Sequence, residues 1–416
     1  MKKKRLAIIS THSIQYNAPL FVLLAKEPDI ELKVFYTWSQ RQTDLFDEKF
    51  GKAIEWDIPL LDGYEYTFVE NKAKNPGTSH FRGIHCPTLN KEIEDWKASH
   101  ILVFGWNFQA HFKAMRYFKG RIPVMFRGDS TLLDYDIKSI KTLVSSIRKK
   151  TLKSQISNLK SFIKFQIRKA FLTYIYSYID TALYVGQNNK AYFKCHGLTE
   201  DQLAFVPHAI DNDRFNDSPE KLYEQKATQW RSELGIKEQD ITILFAGKFE
   251  PRKNPVILPI AFNLLEKNAN PSMVNKIKLI MVGDGPLDEE IKFTAQNNPN
   301  VLFIPFQNQS QMPVLYRLGN IICLPSTTET WGLAVNEALA CGRPVIVSDK
   351  VGCANNLALI PNRIFKAGDV EDLSHQLSLL IQQIEDNEIT KESCQQQISE
   401  WSFEAIVKAI KRVLDQ

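Results

Sequence analysis

Two glutamates eight positions apart mark the stretch of the sequence whose residue types could do chemistry. Glu329 precedes a run with helical spacing of apolar residues, and Glu337 lies about two turns into that run. The start of a helix carries free amides and a partial positive charge, so it attracts phosphate or sugar oxygens. Gly332 leaves the backbone there accessible to a ligand. The alternative is a helix cap with two solvated glutamates, but the E-x7-E spacing around Thr330-Trp331-Gly332 favours a binding site.

The elements around these glutamates are predicted to be strand, loop, helix and strand. The apolar run 321–324 has the length of a buried strand, helical spacing covers about 331–341, and 345–347 is a second buried strand. Gly342 and Pro344 follow the helix, which is typical of a helix end. This order is the unit of a parallel α/β sheet, and similar strand and helix segments recur along the chain.

Residues 329–346, ETWGLAVNEALACGRPVI, resemble the signature of the glycosyl transferases group 1 family. The resemblance covers about residues 200–416 and is looser before them. It implies an α/β chain with the GT-B fold, in which two Rossmann-like parallel-sheet domains face an interdomain cleft. The implied domains are an acceptor-binding domain (1–210) and a donor-binding domain (211–400), joined by a linker over 211–235. A last helix (401–416) is expected to pack back on the first domain.

The resemblance also implies a donor site for a UDP- or GDP-sugar, with no cofactor. In loop 247–254, GKFEPRKN, Lys248 stands where the family has an arginine, and Lys253 matches the family's lysine. Two cations would stabilise a leaving diphosphate, although a lysine lacks the bidentate fork of arginine; the alternative is a basic surface loop. Glu337 is expected to bind ribose, Glu329 to lie near the sugar, the amides of 331–333 to hold phosphate and sugar oxygens, and the GDGP turn to lie near the base. The expected donor-binding residues are Gly247, Lys248, Arg252, Lys253, Gly283, Glu329, Thr330, Trp331, Gly332, Leu333 and Glu337.

On the acceptor side, polar residues follow two predicted strands of the first domain. His12, Gln15 and Tyr16 lie in the loop after the first strand, in a pattern similar to one in a subset of envelope-polysaccharide transferases. Arg127 and Asp129 follow a later strand, where many family members carry a histidine near the donor sugar. Strand ends of this type line the ligand crevice of an open α/β sheet. The alternatives are a loop histidine bonded to backbone and an Arg127–Asp129 pair. The residues expected to be catalytic are Lys253, Lys248, Glu329 and Arg127.

No metal site is predicted. The tripeptides Asp134-Tyr135-Asp136 and Asp211-Asn212-Asp213 have the D-x-D form of another transferase class, but the first follows a polar loop and the second lies in the domain junction. Dinucleotide and P-loop glycine motifs are absent from the sequence. The resemblance implies retention by front-face transfer, with the leaving phosphate as proton acceptor, and no paired carboxylates are visible in the first domain at sequence level.

Residues 138–169 contain ten basic residues and no acidic one. Apolar residues within this segment recur at helical spacing, which predicts a basic amphipathic helix pair. Such helices bind anionic membrane surfaces; the alternative is a pair that packs on its own domain with its lysines in water. The basic residues are Lys138, Lys141, Arg148, Lys149, Lys150, Lys153, Lys160, Lys164, Arg168 and Lys169.

Composition and cysteine content narrow the class of protein and its compartment. The chain has 416 residues, 44% hydrophobic and 24% charged, with a net charge of +5 and no apolar run long enough to span a membrane. Six scattered cysteines without a C-x-x-C motif indicate free thiols in a reducing compartment, so we expect a cytoplasmic protein. Because segment 138–169 is basic, we also expect the protein to lie peripherally on the inner face of the plasma membrane. The expected partners are a nucleotide-sugar and a glycan or lipid-linked acceptor from cell-envelope polysaccharide synthesis, and no nucleic acid, because aromatics do not interleave the basic run. The alternatives are a GT-B epimerase and a non-catalytic basic membrane-surface binding protein.

Overall fold

The computed structural model describes residues 3–38, 46–47, 52–53, 57–133, 152–358 and 363–416. The chain forms two compact units. The first unit consists of Met1–Gln42, Leu60–Pro207 and Val407–Gln416, and the second consists of Thr43–Pro59 and His208–Ile406.

Strands and helices alternate through the first half of the chain. Up to residue 118 the elements are β1 (Lys4–Ser10), α1 (Ala18–Lys26), β2 (Ile30–Tyr36), β3 (Phe46–Asp47), β4 (Lys52–Ala53), β5 (Glu65–Phe68), α2 (Leu89–Asp95), β6 (His100–Phe104) and α3 (Gln109–Phe118). They continue with β7 (Val124–Arg127), α4 (Leu152–Tyr176), β8 (Thr181–Tyr184), α5 (Gln187–Cys195) and β9 (Leu203–Phe205). The sequence predicts strands at the apolar runs 5–10, 31–37, 101–104, 122–126, 181–185 and 204–206, and six observed strands lie within two residues of them, because short buried apolar runs between polar segments have few other places in a fold.

The sheet of the first unit is parallel, in the order β5-β2-β1-β6-β7-β8-β9. From β1 the chain builds outward through β2 and β5, then returns to the other side of β1 with β6. The order therefore reverses between β1 and β6, and crevices of open α/β sheets form at such points.

The second half of the chain forms most of the second unit. Its elements up to residue 316 are α6 (Asn212–Phe215), α7 (Tyr223–Glu233), β10 (Ile241–Ala246), α8 (Ile257–Asn268), α9 (Pro271–Val274), β11 (Ile277–Val282), α10 (Asp288–Thr294), β12 (Val301–Ile304) and α11 (Met312–Tyr316). Those that follow are β13 (Ile321–Leu324), α12 (Leu333–Ala340), β14 (Val345–Ser348), α13 (Ala354–Leu357), β15 (Arg363–Phe365), α14 (Val370–Glu385), α15 (Lys391–Ile398) and α16 (Phe403–Leu414).

The second sheet is also parallel, in the order β12-β11-β10-β13-β14-β15. Its core strands are buried on both faces, which explains their continuous apolar runs. The order reverses between β10 and β13, so the loops after these two strands begin at neighbouring positions on one edge. Two parallel-sheet α/β units are the fold class that the sequence predicts, and they are confirmed.

Three segments do not follow a simple division of the chain into an N-terminal and a C-terminal half. Residues 211–235, expected as a linker, contain α6 and α7, and Glu224 of α7 pairs with buried Arg317 and with Arg343 inside the second unit. Residues 43–59 belong to the second unit, where Asp57 accepts hydrogen bonds from Ser310. Residues 407–416 belong to the first unit, where Lys411 of α16 pairs with Glu27 and Asp29. These assignments depend on contacts between residues far apart in sequence, which local patterns do not report.

The basic segment is only partly within the described residues. Its part from 138 to 151 lies outside them, and residues 152–169 form the first part of α4. One continuous helix therefore covers the positions where the second helix of a pair was expected. Among the helices that the structure describes, none combines the length and apolar character needed to cross a bilayer.

Candidate active site

The two loops that carry the predicted donor-site residues begin at the reversal point of the second sheet. Loop 247–256 follows β10, and loop 325–332 follows β13. Because β10 and β13 are adjacent parallel strands, their carboxyl ends lie side by side. Tertiary structure thus brings together two segments that are more than seventy residues apart in sequence.

Backbone and side chains join these loops. The amide of Thr327 donates to the carbonyl of Arg252 at 2.8 Å. The Lys253 ammonium forms an ion pair with the Glu329 carboxylate. The two side chains are 19% and 12% exposed, so solvent screens this pair only partly. The structure therefore places two of the predicted catalytic residues in direct contact.

The other cations of loop 247–254 are placed differently. Arg252 is half-exposed, and its Nε donates to the nearly buried carboxylate of Glu250 at 2.6 Å. Lys248 is partly exposed, and its carbonyl accepts from the amide of Glu250 at 2.9 Å. Lys253 thus pairs with Glu329, while Arg252 pairs with Glu250.

Gly247 and Gly283 allow two loop backbones to touch. A Cβ on Gly283 would lie 2.0 Å from the carbonyl oxygen of Gly247, and Gly283 has a φ of +141°. The amide of Phe249 donates to the carbonyl of Asp284 at 2.9 Å, which holds the same two loops together. Close backbone packing beside the site therefore requires glycine at position 283, in addition to the turn preference of the GDGP sequence.

The start of α12 is held by a third loop. Gly332 caps the helix with a φ of +97°, and the carbonyl of Trp331 accepts from the amide of Cys353 at 2.9 Å. A Cβ on Gly352 would lie 1.7 Å from the carbonyl oxygen of Thr330, so this position accepts only glycine without rearrangement. The first amides of a helix have no acceptor within the helix. The helix was expected from about residue 331 but begins at Leu333, so of the predicted amides 331–333 only that of Leu333 belongs to its first turn.

The Trp331 side chain belongs to the core. It is buried, and its indole Nε1 donates to Asn336 Oδ1 at 2.9 Å. Asn336 Nδ2 in turn donates to the carbonyl of His208 at 2.9 Å, and the Trp331 ring lies 5.1 Å from that of Trp401. The Trp331 ring therefore fixes the loop, and the role of its backbone amide in ligand binding stays a prediction.

Glu337 lies inside the second unit, on the buried side of α12. Its residue is 3% exposed, and the Tyr316 hydroxyl donates to Glu337 Oε2 at 2.6 Å. A carboxylate in this setting is oriented before a ligand arrives, which favours hydrogen bonds of fixed geometry.

Residues predicted in the first unit are not brought into a comparable cluster. Arg127 at the end of β7 is buried, and its Nη1 and Nη2 donate to the carbonyls of Val206 and Pro207 at 3.0 and 2.8 Å. Burial lowers the pKa of Arg127 to about 10, and the charge of Asp129 partly opposes this shift. The expected Arg127–Asp129 interaction is thus one of nearby charges, while the hydrogen bonds of the guanidinium go to backbone. The catalytic role of Arg127 stays a prediction.

The loop after β1 carries the remaining acceptor-side residues. His12, Gln15 and Tyr16 are all partly buried, and burial lowers the pKa of His12, which favours its neutral form near pH 7. A neutral imidazole can donate and accept one hydrogen bond each.

Sequence reasoning missed three supporting residues. Tyr316 orients Glu337, Asn336 connects Trp331 to residue 208, and Thr327 joins the two loops. Tyr316 and Asn336 lie in ordinary helical patterns, so no local signal distinguishes them from core residues. Asp211 of the second D-x-D tripeptide accepts from the amide of Arg214 at 3.1 Å and caps α6. Asp134 and Asp136 lie outside the described residues.

These loops combine an ammonium group, a helix start and a buried carboxylate within one α/β unit, a set suited to phosphate and hydroxyl groups. Residues 226–399 match the sequence model of the family Glycosyl transferases group 1. The match covers less than half of the chain, so it shows that this segment is similar to that family. The matched range includes every predicted donor-site residue and ends before α16.

Curated relatives are similar to the chain over part of their length. The chain is 30% identical over 165 residues to an alpha-monoglucosyldiacylglycerol synthase from Streptococcus pneumoniae, which covers 39% of this chain and 35% of that protein. It is 27% identical over 172 residues to the UDP-Gal:alpha-D-GlcNAc-diphosphoundecaprenol alpha-1,3-galactosyltransferase of Escherichia coli, which covers 39% of each. The chain thus spans less than two fifths of the length of these curated relatives.

Similarity of fold extends over the whole chain. A crystal structure of HepE from Anabaena in complex with UDP has a TM-score of 0.67 and 16% sequence identity, with 99% of each chain covered. At this identity the likeness shows the fold alone. The predicted GT-B class of the chain is thereby confirmed.

Proposed function

We propose that this protein is a retaining glycosyltransferase that moves a sugar from a nucleoside diphosphate sugar to a glycan or lipid-linked acceptor. The observation that carries the proposal is the Lys253–Glu329 pair at the reversal point of the second sheet, next to the start of α12. Glycosyl transfer needs positive charge for a departing diphosphate and hydrogen-bonding groups for a sugar, and these residues supply both.

In the proposed reaction, the bond between the anomeric carbon and the β-phosphate oxygen breaks, and the acceptor hydroxyl oxygen bonds to the same face of that carbon. The acceptor proton passes to the leaving phosphate, so the products are the glycoside and a protonated nucleoside diphosphate. Lys248, Lys253 and the amides of 331–333 stabilise the negative charge that develops on the diphosphate. No metal ion is required in this scheme.

Donor binding would exchange the partner of Lys253. Its ammonium now pairs with Glu329, and a diphosphate would compete for the same charge. Glu329 is then available to accept hydrogen bonds from sugar hydroxyls. Glu337, oriented by Tyr316, would accept hydrogen bonds from the ribose.

The relatives support the acceptor class. The printed names of both relatives contain a lipid or a lipid-linked sugar. We propose by analogy a role in the synthesis of a cell-envelope polysaccharide, such as a capsule or lipopolysaccharide, at the cytoplasmic face of the plasma membrane.

The test is a thermal-shift panel with UDP, GDP and ADP, followed by product analysis with the corresponding nucleotide-sugars. A nucleotide at about 100 times its Kd should stabilise the native state by about 2.7 kcal/mol. The Glu337→Gln variant should lose most of this shift, while Glu238→Gln, an exposed glutamate elsewhere in the second unit, should keep it. The proposal fails if no nucleotide raises Tm, if the donor is returned as its epimer without transfer, or if the anomeric configuration is inverted in the product.

A further inference from the structure

Helix α4 carries an apolar stripe on its exposed face. Its members are Ile163, Ile167, Phe171 and Tyr174, which are 48%, 66%, 49% and 49% exposed. Their spacing of three or four residues places them on one face of the helix. Contiguous exposed apolar surface of this kind marks an interaction site more often than scattered single residues do.

The same helix is anchored in the first unit by another face. Leu172, Ile175 and Tyr176 are buried in the core of that unit. The stripe is therefore not the packing face of the helix. The alternative in which the apolar residues of this helix simply pack on their own domain holds for Leu172, Ile175 and Tyr176, but not for the exposed Ile163 and Ile167.

Aromatic residues from neighbouring elements extend the stripe. The ring of Trp106 lies 5.6 Å from that of Phe171, and the ring of Phe112 on α3 lies 6.3 Å from that of Tyr174. Phe81, itself exposed, lies 6.3 Å from Phe112. Tryptophan and tyrosine combine an apolar ring with a polar edge and suit a boundary between water and lipid.

Positive charge flanks this surface. Lys160, Lys164 and Arg168 are exposed and form a row of the same helical spacing beside the stripe, and Lys113 and Arg116 are exposed on α3 next to Phe112. The sequences of α3 and α4 contain no aspartate or glutamate. An apolar stripe beside a row of cations complements a surface that is apolar below an anionic layer.

We propose that the stripe of α4 and its row of cations dock the protein on an anionic lipid bilayer, with Ile163, Ile167 and Phe171 inserted among the acyl chains. A second copy of the chain is a poorer occupant, because a two-fold interface would bring like-charged rows together without acidic partners. This inference rests on the geometry of the first unit and not on the proposed transfer reaction.

The first test is co-sedimentation of the full chain with phosphatidylcholine vesicles, with and without phosphatidylglycerol, at low and high salt. The wild type should bind only the anionic vesicles at low salt and should lose most of this binding at high salt. The triple variant Lys160→Gln, Lys164→Gln, Arg168→Gln should bind on the order of a hundredfold more weakly, about fivefold for each cation.

Matched variants separate this surface from general charge and hydrophobicity. The triple variant Lys237→Gln, Lys267→Gln, Lys276→Gln removes the same charge from exposed positions of the second unit and should bind vesicles like the wild type. Ile163→Ser with Ile167→Ser should weaken binding about tenfold or more through lost apolar burial. Phe293→Ser, at an 85% exposed position of the second unit, should not.

A second test reports insertion directly. Brominated acyl chains should quench tryptophan fluorescence in the bound wild type, and Trp106→Phe should remove most of this quenching, because Trp106 contacts Phe171. Binding without quenching would overturn the insertion of the stripe.

Three further results would overturn the docking surface. The first is that the wild type does not bind anionic vesicles at low salt, and the second is that both triple variants lose vesicle binding equally. The third is that the wild type self-associates in sedimentation without binding vesicles, and that Ile163→Ser with Ile167→Ser abolishes this self-association. Cooperative thermal unfolding of the same proteins shows that each variant is folded. Nucleotide-induced thermal shifts, measured separately, distinguish failure of this surface from failure of the proposed reaction.

Discussion

Each of the two units has a cation near the carboxyl end of a parallel strand, but the surroundings of this cation differ between the units. In the second unit, Lys253 and Glu329 meet near the surface as a partly exposed pair. In the first unit, Arg127 at the end of β7 is buried and donates to two backbone carbonyls. The same kind of residue at the same kind of position therefore serves stability in one unit and is available for a ligand in the other. Burial and hydrogen-bond partners, not residue type, make the difference.

The largest expected effect is on Arg127. Arg127→Met should lower the free energy of unfolding by about 2–6 kcal/mol, because two buried carbonyls would each lose a donor at about 1–3 kcal/mol. Chemical denaturation checks this value, with the exposed Arg82→Met as control. A variant of normal stability that has lost turnover would instead support the catalytic role predicted from the sequence.

Acid should destabilise the protein through His111. Burial lowers its pKa to about 4. Its Nδ1 lies 2.9 Å from the carbonyl oxygen of Gly105 and must carry the proton, so Nε2 accepts from the Thr37 hydroxyl at 2.8 Å. Because the unfolded chain binds a proton more readily, this contribution is complete above about pH 6.5 and is lost as pH falls towards 4. Its size is at most about 3 kcal/mol.

Unfolding measured against pH tests this contribution. His111→Gln should flatten the dependence between about pH 6.5 and 4. His375→Gln, at an exposed position of the second unit, should leave it unchanged. If the free energy of unfolding depends on pH equally in the wild type and both variants, His111 does not set the acid sensitivity.

Lys253 should matter for turnover more than for stability. Lys253→Ala should reduce turnover about 10²-fold, because a preorganised charge at the leaving diphosphate is lost. Binding of the nucleoside alone should change little. Steady-state kinetics with the donor identified by thermal shift checks this, with the exposed Lys267→Ala as control; near-normal turnover would reduce the loop to a basic surface feature.

Glu337 should act on affinity. Glu337→Ala should lower nucleotide affinity by about 1.5–3 kcal/mol for each charged hydrogen bond to ribose. Tyr316→Phe removes the group that orients the carboxylate and should have a smaller effect in the same direction. Calorimetry on folded variants measures both, and unchanged affinity in Glu337→Ala would remove the ribose assignment.

The smallest expected effect is that of metal removal. EDTA should leave turnover largely intact, since lysines and helix amides would take the role of a cation at the diphosphate. Complete loss of activity that Mg²⁺ or Mn²⁺ restores would reopen both D-x-D tripeptides as metal ligands.

Sequence patterns predicted most of the fold and part of the site. The apolar runs 321–324 and 345–347 were predicted to be strands and lie within one residue of β13 and β14, because buried parallel strands are short apolar runs with clear limits. The order of Glu329, Gly332 and Glu337 around a helix start was also readable, since it depends on neighbours within a few turns. Residues 211–235 were expected to be a polar, helix-biased linker; they contain α6 and α7, and the contact of Glu224 with Arg317 could not be predicted from local pattern.

The sequence by itself determined which residues lie on strands, helix starts and loops, and which segment resembles a donor site, because these properties depend on local periodicity. Only the tertiary structure decided that loops 247–254 and 325–332 meet, since adjacency of β10 and β13 is a property of strand order. It also decided that Arg127 binds the carbonyls of Val206 and Pro207 and that the apolar stripe of α4 is exposed. Burial is set by the whole packed chain, and two residues with identical local patterns can end in opposite environments.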